Sequence, residues 1–141
     1  MIRRYIQPAA SWATVTPLVL PGYDDPGHYR RRLKNGTFAE EQKVLLKRLG
    51  DRIDGLLRKA IIQAGFPKML ADHAELEWRF AGFWPGSDLV GRYRVPEHLR
   101  CFPRFHVRLE WRDARQRPVQ VSGPICLGGG RFYGVGLFAA L

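Results

Sequence analysis

Arg104-Phe-His-Val-Arg-Leu-Glu-Trp-Arg112 alternates between large apolar and polar side chains along its whole length. Successive side chains of a β-strand point to opposite faces of a sheet, so this alternation predicts a half-buried strand. The side chains predicted to face a core are Phe105, Val107, Leu109 and Trp111. Those predicted to face outward are Arg104, His106, Arg108, Glu110 and Arg112. The outward face of this strand is therefore expected to be basic.

Three further segments have the composition of strands. Residues 73–80 alternate in the same way as the first segment. Trp12–Leu20 is rich in β-branched and large apolar residues, and Pro17 within it indicates an edge position or a strand end. Residues 132–138, near the end of the chain, are interpreted as a closing strand. The sequence thus predicts a sheet of several strands.

One segment has the periodicity of a long helix. Residues 37–64 carry apolar side chains at helical spacing. Thr37 and Glu40 have the spacing of a capping box, and Gly65 and Pro67 are expected to end the helix. A mostly antiparallel sheet with a long helix packed on one face is an α+β architecture, which we predict for the single domain 1–141.

Composition limits the kind of partner. Lys and Arg total 23 against 13 Asp and Glu, which gives a net charge of +10 and a sequence pI near 10.3. Such a charge favours a polyanionic partner, with nucleic acid ahead of an acidic membrane surface. The alternative is a basic protein without a nucleic-acid role.

Other compositional features argue against several classes of protein. No apolar run reaches the roughly 18 residues of a membrane span, and no secretory signal is evident. Two cysteines and four histidines lack zinc-ligand spacing, so no metal and no cofactor is expected. Without a secretory signal, Cys101 and Cys126 are expected to be reduced and buried, and the protein to be cytoplasmic with no membrane partner.

Glycines crowd the segment 122–139, Ser-Gly-Pro-Ile-Cys-Leu-Gly-Gly-Gly-Arg-Phe-Tyr-Gly-Val-Gly-Leu-Phe-Ala. Gly128, Gly129 and Gly130 with Arg131 have the composition of a phosphate-binding loop, because glycine lets backbone amides turn toward an anion. The Gly-Lys-Ser/Thr of a P-loop is missing, and no helix follows as in a dinucleotide-binding fold. A glycine-rich hairpin or bulge without a ligand is the alternative.

A second candidate site lies in the loop that precedes the long helix. His28 is followed by Tyr29 and by three arginines, Arg30, Arg31 and Arg32. A histidine can act as general acid or base near neutral pH, and arginines can hold a phosphate and stabilise its developing charge. These are the parts of a ribonuclease site. The alternative is a solvated histidine beside arginines that only bind backbone phosphate.

Two other groups of residues have possible roles at a nucleic acid. His106, predicted on an exposed strand face beside Arg104 and Arg108, is a second catalytic candidate, or else a surface or binding histidine. The long connection 82–102 mixes aromatic side chains with arginines, which suits base stacking and backbone contact. The alternative for its Phe83 and Trp84 is a hydrophobic flap over the core.

Residues 123–138 resemble the glycine-rich loop and last strand of the RAMP superfamily of CRISPR proteins. The strand Trp12-Ala-Thr-Val-Thr-Pro-Leu-Val-Leu20, followed by a histidine-bearing loop and a long helix, is similar to the same superfamily. Within it the chain looks closest to the CRISPR repeat-RNA processing endoribonucleases of the Cas-six type. It is similar to the C-terminal processing domain of the fused Cascade subunit in type I-U (or I-G) systems.

This resemblance implies a ferredoxin-like fold that binds the CRISPR repeat of pre-crRNA and cleaves it without a metal. The 2′-hydroxyl would attack the adjacent phosphate and leave a 2′,3′-cyclic phosphate. His28 would act as acid or base with help from Tyr29 or Tyr23, and Arg30–Arg32 would hold phosphate. The segment Gly128–Arg131 would contact RNA.

The resemblance also implies other Cascade subunits as partners. Many members have two tandem ferredoxin-like halves, whereas this chain is long enough for one, so we expect a fused segment or a partner subunit to complete the RNA groove. Some members bind crRNA without cutting it, so a non-catalytic crRNA-binding subunit is the alternative function. A generic basic RNA-binding protein is a third.

Overall fold

The computed structural model describes residues 2–20, 39–87, 89–90, 93, 97, 104–129 and 135–141, with the backbone alone described at residues 39–41. Within this part of the chain five strands form one antiparallel sheet. They are β1 (Ser11–Thr14), β2 (Leu18–Val19), β3 (Glu75–Arg79), β4 (Arg104–Glu110) and β5 (Phe138–Ala140). The helices are α1 (Arg3–Ile6), α2 (Ala39–Gln63) and α3 (Lys68–His73).

Strand β4 lies at the centre of the sheet. Strand β3 pairs with one of its edges, with Leu76 opposite Leu109. Strands β1 and β2 pair with β4 as successive segments of one chain, with Trp12 also opposite Leu109 and Leu18 opposite Phe105. Strand β5 extends the sheet beyond β1. The longest alternating stretch of the sequence therefore forms the strand with the most partners.

The connection through α2 explains the class of fold. The chain leaves β2, passes through α2 and α3, and returns as β3, while β4 lies between β3 and β1. This split β-α-β arrangement is that of ferredoxin-like domains, so the predicted α+β fold is confirmed. Between β4 and β5 the described residues contain no helix, and a turn and isolated bridges occupy that connection.

The long helix ends just before Gly65 and Pro67, as these two residues predicted it would. Gly65 adopts a φ of 99°, a left-handed conformation that terminates the helical backbone, and its N–H still bonds the Ile62 carbonyl at 3.0 Å. The proposed cap Thr37 and the side chain of Glu40 lie outside the described residues. Two short helices were missed: α1 at Arg3–Ile6, and α3, whose last residue His73 was predicted to start a strand.

The core lies between α2 and one face of the sheet. Trp12, Trp111 and Leu109 on the sheet are fully buried, and Leu57 and Ile61 of α2 pack against them. Phe66 covers Trp111 with ring centroids 5.1 Å apart. Truncation of one such buried tryptophan to alanine typically costs about 3–5 kcal/mol, so this layer is what stabilises the sheet against the helix.

A bulge separates β1 from β2. The chain advances five residues from Ala13 to Leu18, whereas their partners on β4, Arg108 and Phe105, are only three residues apart. The two extra residues push the backbone around Pro17 out of the ladder, and the Pro17 carbonyl accepts a bond from the Gly136 N–H at 2.9 Å. Pro17 thus marks a strand end, which is one of the two positions predicted for it.

Candidate functional site

The sheet face opposite α2, which we name the outer face, carries two of the arginines predicted to bind RNA. Arg108 is exposed and lies opposite Glu77 in the register of β3 and β4. Arg104 is half-buried, and its Nη1 donates to the Tyr93 carbonyl at 3.1 Å. Arg108 is therefore accessible to a polyanion, whereas Arg104 already contributes to the fold.

His106 shares the outer face but is completely buried, so the prediction of an exposed histidine is wrong. Its Nδ1 lies 3.1 Å from the Thr14 Oγ1, and the Tyr93 ring meets it edge-on with centroids 5.7 Å apart. The same Oγ1 accepts a bond from the Val107 N–H at 2.9 Å. The alternation assigned His106 to the correct face of the sheet, but other parts of the chain cover that face at this residue.

The bulge between β1 and β2 explains why Thr14 can make these contacts. Its backbone leaves the β4 ladder here, and its hydroxyl replaces a carbonyl as the acceptor for Val107. A hydroxyl has one donor and two acceptor sites, so it can serve Val107 and His106 together. In the structure as described, His106 is a packed and hydrogen-bonded residue without access to a phosphate.

The described glycines of the glycine-rich segment occupy a hairpin. The Leu127 N–H bonds the Gly136 carbonyl at 3.1 Å, and the Phe138 N–H bonds the Ile125 carbonyl at 2.9 Å. Gly128 has a φ of 86°, and a Cβ on it would lie 2.3 Å from the Val19 carbonyl oxygen. These glycines are explained by close backbone approach, which was the ligand-free alternative for this segment.

Gly129 is also engaged within the fold. Its N–H donates to the Val19 carbonyl at 3.0 Å, so this amide is not directed at an anion. The contact joins the end of β2 to the glycine-rich segment. Gly130 and Arg131 follow Gly129 directly but lie outside the described residues.

The predicted catalytic loop also lies outside the described residues: Tyr23, His28, Tyr29, Arg30, Arg31 and Arg32. What the structure does place is the point from which this loop departs. Leu20 precedes the loop, and its neighbour Val19 forms a bridge with Gly129. The residues that lead into the His28 loop and those that lead into Gly130 and Arg131 therefore start from the same corner of the sheet.

A cleft of about 610 Å³ opens on the outer face beside the bulge. Helix α1 forms one wall, and the segment that follows β3 forms the other. The lining residues are Arg4, Tyr5, Val15, Trp84, Pro85, Gly86, Ser87, Tyr93 and Ala139. Three aromatic rings and one arginine thus surround a space in which the described lining contains no carboxylate.

Hydrogen bonds to the sheet hold the aromatic side chains of this cleft. The Trp84 Nε1 donates to the Ala13 carbonyl at 3.1 Å, and the Tyr93 hydroxyl donates to the Val15 carbonyl at 3.3 Å. Both acceptors belong to β1 or the bulge behind it. Trp84 is therefore part of a flap over the outer face of the sheet and not, as one alternative for it had it, over the core, and its ring also lines the cleft.

Sequence reasoning missed the contribution of the first residues to this cleft. Residues 1–11 have no strand or helix periodicity, yet Arg4 and Tyr5 line the cleft and the Arg4 Cζ lies 5.2 Å from the centre of the Trp84 ring. The available signal was composition alone, since two arginines and a tyrosine occur together at positions 3–5.

At the far end of the outer face, two carboxylates share one arginine. Glu75 and Glu110 are directly opposite in the register, and like charges in that position repel. Arg112 forms ion pairs with both carboxylates. Its hydrogen bond to Glu110 holds the pKa of Arg112 above its ordinary value, with the charge of Glu75 acting in the same direction. Two carboxylates and one guanidinium give these three groups a net formal charge of −1, so they do not make this end of the face basic.

The described residues contain no group of three or more His, Cys, Asp or Glu side chains placed to hold a metal ion. None of the described helices combines the length and the apolar character that a bilayer crossing requires.

Comparison with known proteins places the chain in a family. Neither the curated proteins nor the solved structures yielded a match. A family profile described as "CRISPR-associated protein, GSU0054 family" matches residues 1–140. The CRISPR association expected from residues 123–138 is thereby confirmed, while the endoribonuclease type within it stays a prediction. Because the match spans almost the whole length, the chain belongs to the GSU0054 family of CRISPR-associated proteins.

Proposed function

We propose that this chain binds the repeat of CRISPR RNA and cleaves it without a metal ion. The observation that carries the proposal is the hydrogen bond from the Gly129 N–H to the Val19 carbonyl, 3.0 Å long. It brings together the two chain positions from which the His28 loop and the Gly130–Arg131 segment depart. Two segments rich in phosphate-binding residues thus begin at one corner of a chain whose net charge is +10.

The proposed chemistry uses residues of both segments. His28 takes the proton of the ribose 2′-hydroxyl, whose oxygen then attacks the adjacent phosphorus. The bond from phosphorus to the 5′-oxygen breaks, that oxygen takes up a proton from a tyrosine or from the protonated histidine, and a 2′,3′-cyclic phosphate remains. Arg30–Arg32 and Arg131 stabilise the charge that develops on the phosphoryl oxygens.

The test is incubation of the protein with a labelled CRISPR repeat RNA in the presence of EDTA, followed by gel electrophoresis. We expect one discrete product, which a 2′-deoxy nucleotide at the cut abolishes because the attacking hydroxyl is missing. The variant His28→Ala should lose cleavage and retain binding. His73→Ala is the matched control, since His73 lies on α3 and away from the Val19–Gly129 corner.

Either of two results would contradict cleavage through His28. Cutting at the wild-type rate by His28→Ala removes this histidine from the mechanism. Cutting of the 2′-deoxy substrate excludes the hydroxyl attack. Loss of cutting in His73→Ala as well would show that the effect of the substitutions is not specific to the loop.

A second candidate function is supported by the state of the described site residues. His106 is buried, and the Gly129 amide is bonded to Val19, so neither is presented to a phosphate. The acid–base chemistry proposed here then depends on the loop 21–38. If it does not cut, the chain is a subunit that holds crRNA for the other proteins of its complex. Binding without a product in the assay above, with affinity falling steeply as salt rises, would be the result expected from that function.

A further inference from the structure

We propose that the cleft between α1 and the segment after β3 binds one unpaired nucleotide of RNA, with its base stacked on Trp84 and its phosphate paired with Arg4. This inference rests on the proposed binding of RNA and adds a defined site to it. The cleft lies beside the bulge between β1 and β2, and it is made of residues other than those proposed for cleavage.

The lining of the cleft fits a nucleotide in chemistry and in size. Tyr5, Trp84 and Tyr93 provide aromatic rings, and base–aromatic stacking is the contact by which proteins bind single-stranded nucleic acid regardless of sequence. A volume of about 610 Å³ lies within the range of small-ligand pockets. The described lining residues include no carboxylate, so nothing in this lining repels a phosphate.

Arg4 is placed to bind the phosphate of such a nucleotide. It is exposed on α1, and its guanidinium carbon lies 5.2 Å from the centre of the Trp84 ring. Because the guanidinium lies over the ring, a base that stacks on this face would displace it, and the displaced guanidinium would stay within reach of the sugar and phosphate of the same nucleotide. An arginine suits this position because its planar guanidinium can form two hydrogen bonds with one phosphate.

The walls of the cleft are organised before any ligand arrives. Trp84 and Tyr93 are both hydrogen-bonded to backbone carbonyls of the β1 region. The Ser87 N–H bonds the Trp84 carbonyl at 3.1 Å, which closes a turn behind the tryptophan. Because these side chains are already ordered, stacking of a base on them does not incur the entropic cost of fixing the rings.

The geometry favours an unpaired base over a duplex. Within a helix each base is stacked between its neighbours, whereas bases in single-stranded loops and ends are free to stack on protein side chains. A cleft of this size has room for one unpaired base, but not for the stacked base pairs of an RNA duplex. The proposal therefore predicts a difference between single-stranded and double-stranded RNA that backbone charge alone would not produce.

The experiment measures binding of a fluorescein-labelled oligouridine by fluorescence anisotropy, beside a blunt RNA duplex of equal length. We expect Trp84→Ala to weaken oligouridine binding about tenfold, as for the loss of one base–aromatic stack, and to change duplex binding by less than about twofold. Trp84→Phe keeps a stacking ring and should bind within about threefold of the wild type. Arg4→Ala replaces an exposed residue and should also weaken oligouridine binding.

The matched control is Arg48→Ala, which removes the same charge from the exposed surface of α2, on the other side of the sheet. If Arg4→Ala and Arg48→Ala weaken binding equally, only net charge matters and the cleft proposal is overturned. The same holds if Trp84→Ala and Arg4→Ala both bind oligouridine as the wild type does. Failure of the wild type to bind any RNA would instead overturn the proposed function together with the cleft.

Discussion

The Nδ1 atom of His106 lies 3.1 Å from the Oγ1 atom of Thr14, and both side chains are completely buried. They come from strands 92 positions apart in the chain. The Val107 N–H donates to the same hydroxyl at 2.9 Å, so one side chain satisfies two polar groups of β4. The contact links the central strand to the bulge that separates β1 from β2.

Replacing Thr14 with valine should destabilise the protein. The two side chains have nearly the same shape, but valine leaves His106 and the Val107 N–H without their shared partner. We expect the free energy of unfolding to fall by about 1–3 kcal/mol, the cost of leaving a buried polar group unsatisfied. Urea denaturation of the variant measures it. Thr14→Ser keeps the hydroxyl and should lose less, and equal stability of the valine variant would show that the contact is not important.

Two glycines should respond in opposite ways to alanine. Gly136 has a φ of 77°, and a Cβ on it would lie 2.1 Å from the Leu127 carbonyl oxygen. Gly136→Ala should therefore cost at least about 2 kcal/mol of unfolding free energy through strain and collision. Gly55 lies within α2 with nothing within 4 Å of an added Cβ, so Gly55→Ala should stabilise by about 0.5–1 kcal/mol.

Thermal and urea denaturation should show that Gly136→Ala lowers the free energy of unfolding and that Gly55→Ala raises it. A stable Gly136→Ala protein would show that the hairpin around Leu127 rearranges easily, and that the glycine is not required by the close approach. A destabilised Gly55→Ala protein would mean that this part of α2 has a neighbour outside the described residues.

Gly123 should control the position of α1. A Cβ on Gly123 would lie 1.8 Å from the Tyr5 carbonyl oxygen and 2.9 Å from Trp12 Cη2. Because the buried Trp12 cannot move readily, Gly123→Ala should displace α1 instead. We expect faster trypsin cleavage after Arg3 and Arg4 in this variant, and weaker oligouridine binding, although Gly123 does not line the cleft.

Gly55→Ala serves as the control for the Gly123 experiment, because it adds the same methyl group at an open position. It should leave both the trypsin cleavage pattern and the RNA affinity unchanged. Wild-type cleavage rates together with wild-type RNA binding in Gly123→Ala would show that α1 is not held by this contact.

The regular elements were predictable because their side chains repeat with the period of the backbone. The alternation of Phe105, Val107 and Leu109 has the period of a strand, and all three are buried on the α2 side of the sheet. The helix was predicted over 37–64 and is observed over Ala39–Gln63. Pro17 and Gly65 marked real ends, since each imposes a backbone geometry on its own residue.

The environment of His106 was not predictable in the same way. Alternation assigns a residue to a face of the sheet, and it assigned His106 correctly to the face opposite α2. Whether that face is covered depends on where the segment with Trp84 and Tyr93 lies, and this segment has no periodicity. The cleft was missed for the same reason, because Arg4 and Trp84 are 80 positions apart and meet only through the fold.

The sequence by itself determined the class of fold, the strongly basic charge and the resemblance to CRISPR proteins, because these depend on periodicity, composition and a contiguous motif. Only the tertiary structure decided that Gly128 and Gly136 serve close backbone contacts, that His106 is buried against Thr14, and that α1 forms one wall of a cleft. Each of these depends on residues far apart in the chain, which interact only after the sheet has brought their backbones together.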